Sequence, residues 1–175
     1  MMGDLWVFGY GSLMWDPGFP FLARRPALLR GYHRALCVYS HVWRGTPACP
    51  GLVLGLDRGG ACRGIAFRVA ADEAAQVIDY LDRRERVTEV YVRKPMTVLL
   101  AGGERVVVET YVVDRAHLQY AGRLDPQESV RLVRQGSGRG GANFDYLENT
   151  VRHLDEMGLK EGALHDLARL VRGGH

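Results

Sequence analysis

The sequence has 175 residues, 47% hydrophobic and 25% charged, which is the make-up of a folded chain with its own core and excludes a disordered or fibrous polymer. Its 23 Lys and Arg stand against 20 Asp and Glu, a formal charge of +3, with the basic residues scattered among acids. Nucleic acid is therefore not the expected partner. Cys37, Cys49 and Cys62 are widely spaced and form no C-x-x-C pair, so no zinc knuckle or thioredoxin-type motif is written here. There is no charged-then-apolar leader and no run of 18 apolar residues. The chain is expected to be a single cytoplasmic domain over 1–175, reduced, and not bound to a membrane.

The first half reads as strands. "LWVFGYG" (5–11) is an apolar run ending in glycine, and "RGYHRALCVYS" (30–40) is rich in aromatic and β-branched residues. "GLVLGLDRGGACRGIAFRV" (51–69) predicts a hairpin turning at Asp57-Arg58-Gly59-Gly60. The pattern then changes. "ADEAAQVIDYLDRRER" (71–86) starts acidic, ends basic and carries Ala74, Val77, Ile78 and Leu81 as a helical stripe. Alternation returns in "TEVYVRKPMTVLL" (88–100) and "RVVVETYVV" (105–113), a second hairpin. The last third is helical: 125–135, with Asp125 as N-cap and Pro126 at N1, then 143–158 and 161–174, each closed by glycine. "GSGRGGAN" (136–143) lacks the Lys of a phosphate loop and reads as a flexible inter-helix loop. The whole predicts an α+β fold, a curved sheet or barrel flanked by helices.

The stretch "LWVFGYGSLMW" (5–15) holds the first candidate site. A dinucleotide fingerprint needs a third glycine where Met14 stands, and a helix where "WDPGFPF" follows. A nucleophile elbow needs a glycine two residues beyond Ser12, again Met14. What remains is a strand end whose glycines let a small ligand approach main-chain N–H groups, an anion nest over Tyr10–Leu13. A carboxylate fits such a nest, and so does the oxyanion of an amide turning tetrahedral.

Taken together, "VFGYGSLMW", "RGTPACPGLVLGLDRGGACRGIAFRV", "RRERVTEVY", "QYAG" and "DYLENTVRHLDEMG" resemble the ChaC-type γ-glutamylcyclotransferases, in particular their bacterial branch. The resemblance runs in one order over nearly the whole chain. It implies a small mixed β-barrel flanked by helices, and a reaction that converts glutathione to 5-oxoproline and Cys-Gly without metal or cofactor. It maps the substrate-binding strand end onto Val7, Phe8, Gly9, Tyr10, Gly11 and Ser12, with Leu13 completing the nest, and the catalytic glutamate onto Glu85. Tyr120, in "QYAG", is a candidate for closing the pocket or a core aromatic.

The residues make chemical sense of Glu85. It follows Ile78 by seven positions and Leu81 by four, so it continues the apolar stripe, and it sits in the last helical turn. Burial and the helix dipole both disfavour its anion and raise its pKa. Asp79 and Asp82 have arginines four residues on, Arg83 and Arg86, as simple partners. Glu89 is a rival acid expected in the following strand. Spacing alone leaves Glu85 open between a salt-bridged helix end and a catalytic acid; the resemblance selects the second. Two other functions remain compatible with the same residues: cyclisation of other γ-glutamyl amides, and a non-catalytic γ-glutamyl sensor. Arg44 reads as a carboxylate attractor or a solvated loop arginine, Tyr146 as a pocket-closing or a core aromatic, and the six histidines form no ligand pattern.

Overall fold

The structure, a computed structural model, describes residues 3–85, 87 and 89–173. In chain order the elements are β1 (Leu5–Gly9), β2 (Ala23–Ser40), β3 (Gly51–Val69), α1 (Ala74–Glu85), β4 (Tyr91–Leu100), β5 (Arg105–Val113), α2 (Pro126–Gln135), β6 (Ser137–Gly138), β7 (Gly141–Ala142), α3 (Asn143–Glu156) and α4 (Gly162–Val171). β1 to β5 close a barrel in the order β1-β3-β2-β4-β5. It is mixed, because β1 runs antiparallel to β3 and parallel to β5. The α+β class, the barrel and the helical last third are as the sequence predicts.

Two compact units divide the chain. The first contains the residues up to Arg34 together with Leu56–Val113. Its core is built from inward residues of the strands and the buried stripe of α1: Val7, Phe8, Leu29, Phe67, Val77, Leu81 and Val108. A short 3-10 turn at Ala71–Glu73 precedes α1 and carries Asp72 and Glu73, acids placed at the positive end of the dipole. β4 and β5 pair from Tyr91↔Val113 to Leu99↔Arg105, the second hairpin read from alternation.

The second unit contains Ala35–Gly55 and the chain from Asp114 onward. Asp125 caps α2 by accepting from the Gln127 N–H at 2.8 Å, with Pro126 opening the helix. Gly158 (φ 71°) and Gly173 (φ 91°) follow α3 and α4 in the left-handed conformation, as their spacing predicts. The position 174 end of the last predicted helix lies outside the described residues. Leu132, Leu147, Leu154 and Ala168, from α2, α3 and α4, form the core of this unit.

Four expectations are corrected. Residues 51–69 form one continuous strand, not a hairpin: Gly59 (φ 106°) and Gly60 (φ 67°) supply positive φ inside β3. β2 begins at Ala23 rather than at Arg30, because Pro26 and Gly31 (φ 95°) interrupt the propensity signal without ending the strand. Glu89 lies in the bend before β4, at φ 51°, not in the strand; Thr88, where the strand was expected to begin, lies outside the described residues. The 136–143 segment is a tight hairpin, β6 to β7, rather than a loose loop. Its Arg139 and Gly140 N–H groups donate to the Val42 and Trp43 carbonyls, both at 2.8 Å. A Cβ on Gly138 would stand 2.2 Å from the Val42 oxygen, so glycine is required for this approach.

Asn143, fully buried at the start of α3, offers both halves of its amide to Leu52. Its Oδ1 accepts from the Leu52 N–H at 2.7 Å and its Nδ2 donates to the Leu52 carbonyl at 2.8 Å. Asn143→Ala strips both partners from a buried peptide and is expected to cost about 2 kcal/mol or more in urea unfolding; a variant as stable as the parent contradicts this.

Candidate active site

The candidate site lies where β1 runs out. Val7 and Phe8 are 0% and 1% exposed, so their side chains belong to the core and only their main chain can meet a ligand. Gly9 is the last paired residue, opposite Ile65. The chain then leaves the sheet and tightens into a 3-10 helix over Ser12–Met14, with the Met14 N–H on the Gly11 carbonyl at 2.9 Å. A Cβ on Gly9 would stand 2.9 Å from Leu13 Cβ, so the turn folds back on the strand end because residue 9 has no side chain. Tyr10 and Leu13 are buried, Gly11 is half-buried and Ser12 is exposed.

Two side chains hold this strand end. Thr110 Oγ1, from β5, donates to the Phe8 carbonyl at 3.0 Å. Arg34, from β2 and only 5% exposed, donates from Nε to the Tyr10 carbonyl at 2.5 Å and from Nη2 to the Arg63 carbonyl at 2.7 Å. Ser12 Oγ accepts from Arg84 Nη2 at 2.7 Å, a partner that does not deprotonate it. Nothing in this arrangement turns Ser12 into a nucleophile.

Glu85 is the last residue of α1 and half-buried. Burial pushes its carboxyl up from 4.5 to about 7, with the neighbouring Arg84 charge pulling the other way. Beside it in sequence, Asp82 accepts from the Tyr111 hydroxyl at 2.6 Å and pairs with Arg93 Nε at 3.2 Å. Arg93 also reaches Glu109 at 3.7 Å. Burial, the Asp82 hydrogen bond and the negative charges of Asp82 and Glu85 all push the Tyr111 hydroxyl well above the ordinary phenol range, so it stays a neutral donor. Asp79 pairs with Arg83 at 3.0 Å as its spacing predicts. Asp82 takes Tyr111 and Arg93; its expected partner Arg86 lies outside the described residues.

In the first unit, then, α1 brings Glu85 and the β1 end brings Gly9–Leu13, with Arg84 bonded directly to Ser12. Tyr120 belongs to the second unit, where it bridges to Val38 and lies under the Arg115 guanidinium, 5.7 Å from ring centre. Arg44 and Tyr146 are tied into that unit as well. The Arg44 guanidinium donates to the Ala142 carbonyl at 3.1 Å and lies over the Tyr146 ring, while the Tyr146 hydroxyl accepts from the Leu54 N–H at 3.0 Å. A surface groove along α2 and α4, lined by Pro126, Val130, Arg134 and Leu170, contains none of the site residues. Among the described residues no cluster of three His, Cys, Asp or Glu has the geometry to hold a metal ion.

Sequence reasoning missed Arg34, Arg84 and Tyr111. Arg34 did carry a signal: it is a charge inside the apolar strand run "HRALCV". Arg84 and Tyr111 carried none, because Ser12 and Asp82, the partners that tie them to the site, lie 72 and 29 positions away.

The family model described as ChaC-like protein matches residues 5–173. The chain belongs to the ChaC-like family. This ChaC-like chain is 33% identical over 170 residues to the glutathione-specific γ-glutamylcyclotransferase of Escherichia coli, covering 97% of this chain and 74% of that one. It is 32% identical over 184 residues to the glutathione-specific γ-glutamylcyclotransferase of Schizosaccharomyces pombe, covering 93% and 89%. Its fold matches the crystal structure of a γ-glutamyl cyclotransferase specific to glutathione from yeast, with a TM-score of 0.88, 21% identity and coverage of 98% and 97%.

The raised carboxyl of the ChaC-like chain has a consequence for stability. In the unfolded chain Glu85 ionises near 4.5, whereas the fold holds its proton to about 7. The fold is therefore undermined as pH rises through this window, by up to about 3 kcal/mol. Glu85→Gln removes the penalty. Urea unfolding is expected to show the variant matching the parent at about pH 4 and exceeding it by up to about 3 kcal/mol at about pH 8. Parallel pH dependences for the two chains would refute the burial argument.

Proposed function

We propose that this ChaC-like chain is a glutathione-specific γ-glutamylcyclotransferase with Glu85 as its general acid and base. The observation that carries the mechanism is the half-buried Glu85 carboxyl, tuned to about 7 at the end of α1. The names of the relatives from E. coli and S. pombe support the substrate.

The substrate's own α-amine attacks its γ-carbonyl carbon. Glu85 takes the proton from that amine and later delivers it to the leaving nitrogen. A carbon–nitrogen bond closes the five-membered ring of 5-oxoproline, and the amide bond to Cys-Gly breaks. The nucleophile is already tethered, so orientation supplies several kcal/mol of the acceleration and no protein nucleophile is required. An ordinary glutamate is too weak a base for an amine and too strong an acid afterwards to reprotonate efficiently; a group near 7 serves in both directions.

The main chain of Val7–Leu13 is the proposed cradle for the γ-glutamyl head. Its N–H groups between Tyr10 and Leu13 receive the α-carboxylate and the oxyanion. An oxyanion donor of this kind is worth about 2.7–4 kcal/mol in comparable sites. No described helix is long and apolar enough to cross a membrane. A thiol substrate and free cysteines favour the cytoplasm.

Incubation with glutathione is expected to release Cys-Gly and 5-oxoproline in equal amounts, with γ-Glu-Ala turned over far more slowly. Equal rates on both would assign the chain to γ-glutamyl amides in general. Glutathione bound and left intact would make it a sensor. Glu85→Gln should retain the fold and lose about 100-fold or more in kcat. For the parent, kcat/KM should rise as pH passes about 7, where Glu85 becomes a base; a profile flat from pH 5 to about 8 would remove Glu85 from the role.

A further inference from the structure

Between Gly9 and β2 the chain crosses an irregular segment that contains the proposed cradle. Its near end is fixed by the Gly9–Ile65 pairing. Its far end is anchored by Phe19, 7% exposed and edge-on to Phe67 at 5.6 Å between ring centres. Between these anchors Arg34 holds the Tyr10 carbonyl from β2, and the stretch from Ser12 to Pro17 is held from α1. Arg84 Nη2 donates to Ser12 Oγ at 2.7 Å, and Nη1 donates to the Asp16 carbonyl at 3.1 Å, with Pro17 at 3.5 Å. The same Nη1 reaches the hydroxyl of Tyr80 at 3.1 Å, one helical turn earlier on the same face. Tyr80 in turn meets Phe19 edge-on at 6.5 Å. By contrast Arg83, one residue earlier, pairs with Asp79 on an exposed face where such a bridge contributes little.

We propose that Arg84 is a positioning residue of the site: its guanidinium fork clasps residues 12–17 to the last turn of α1 and so sets where the main chain after β1 stands relative to Glu85. This rests on the cyclotransferase reading. These four acceptors are neutral oxygens, so none of them offsets the guanidinium charge beside the neighbouring carboxyl. One side chain therefore does two separable things. Its fork fixes geometry; its charge favours the Glu85 anion, opposing burial. Lysine keeps the charge but cannot reproduce the planar fork, whereas glutamine loses both the charge and most of the reach.

Arg84→Lys and Arg84→Gln separate the two effects, with thermal melts confirming that each chain is folded. In Arg84→Lys, kcat/KM is expected to fall about tenfold to a hundredfold while the pH limb of the parent is kept. In Arg84→Gln the loss should be similar or larger, the pH limb should move upward, and KM should rise as the cradle loosens. Parental kcat, KM and pH limb in Arg84→Gln overturn the proposal. If the parent does not turn over glutathione, the cyclotransferase reading fails by itself. The clasp is then read without activity, by amide hydrogen exchange at Met14–Gly18 and by carboxyl NMR titration of Glu85. Faster exchange with a higher Glu85 midpoint in Arg84→Gln supports it, and no change in both overturns it. Should Arg84→Gln not fold, the same exchange measurement on Arg84→Lys decides: parental protection at Met14–Gly18 overturns the clasp, and faster exchange supports it.

Discussion

A buried guanidinium governs the end of β1. A strand inside a closed barrel cannot simply stop, because the carbonyls it leaves behind need partners away from water. Arg34 supplies one for the Tyr10 carbonyl just beyond the strand, and it donates to the Arg63 carbonyl of β3 as well. Its own charge is the cost: an arginine 5% exposed loses most of its hydration, and only several well-placed acceptors offset that. Once the Tyr10 carbonyl is held, the chain can turn over Gly9, wind through Ser12–Met14 and present half-exposed main chain instead of a continued ladder. The rest of the first unit follows from keeping that turn in place: Thr110 on the Phe8 carbonyl from β5, and Arg84 on Ser12 from α1.

Under the proposed mechanism the same unit opposes stability to chemistry at Glu85. An apolar residue there would extend the stripe of Val77 and Leu81. A carboxyl retained at that position, in the last turn where the dipole also disfavours an anion, weakens the fold at neutral pH. Asp82, three residues earlier, shows the alternative arrangement: with Tyr111 and Arg93 it is fully engaged in a hydrogen-bonded, charge-compensated cluster. Two acids in one helical turn thus differ: burial raises the carboxyl of Glu85, whereas Asp82 is tied to a hydroxyl and a guanidinium.

The barrel, the helices and their caps were legible in the sequence because their signals are local. Alternation marks β4 and β5, a period near 3.6 marks α1, and Asp125-Pro126 marks the start of α2. Glycine was legible as chemistry and misread as architecture. Gly59-Gly60 does supply positive φ, but inside a strand; Gly136–Gly141 does mark irregular chain, but chain pressed against residues 42–44 rather than loose. Local sequence cannot distinguish a glycine that frees the chain from one that lets another chain come close. Glu85 was half legible. Its spacing foretold burial, and the family resemblance carried by "RRERVTEVY" together with "GYGSL" selected it over Glu89. Arg34 and Arg84 act on carbonyls and a hydroxyl far away in the chain, and backbone acceptors leave no imprint on residue type.

Asn143 has a meaning beyond the strength of its two hydrogen bonds. A strand edge offers an N–H and a carbonyl to whatever arrives, and another extended chain is the usual unwanted arrival. At Leu52 both groups are already taken by a side chain that copies the donor and acceptor of a neighbouring peptide. That amide comes from the first residue of a helix, and a helix cannot be extended by adding another strand. One side chain of α3 thus does at Leu52 what a neighbouring peptide does along a ladder, and leaves neither main-chain group there for an incoming strand.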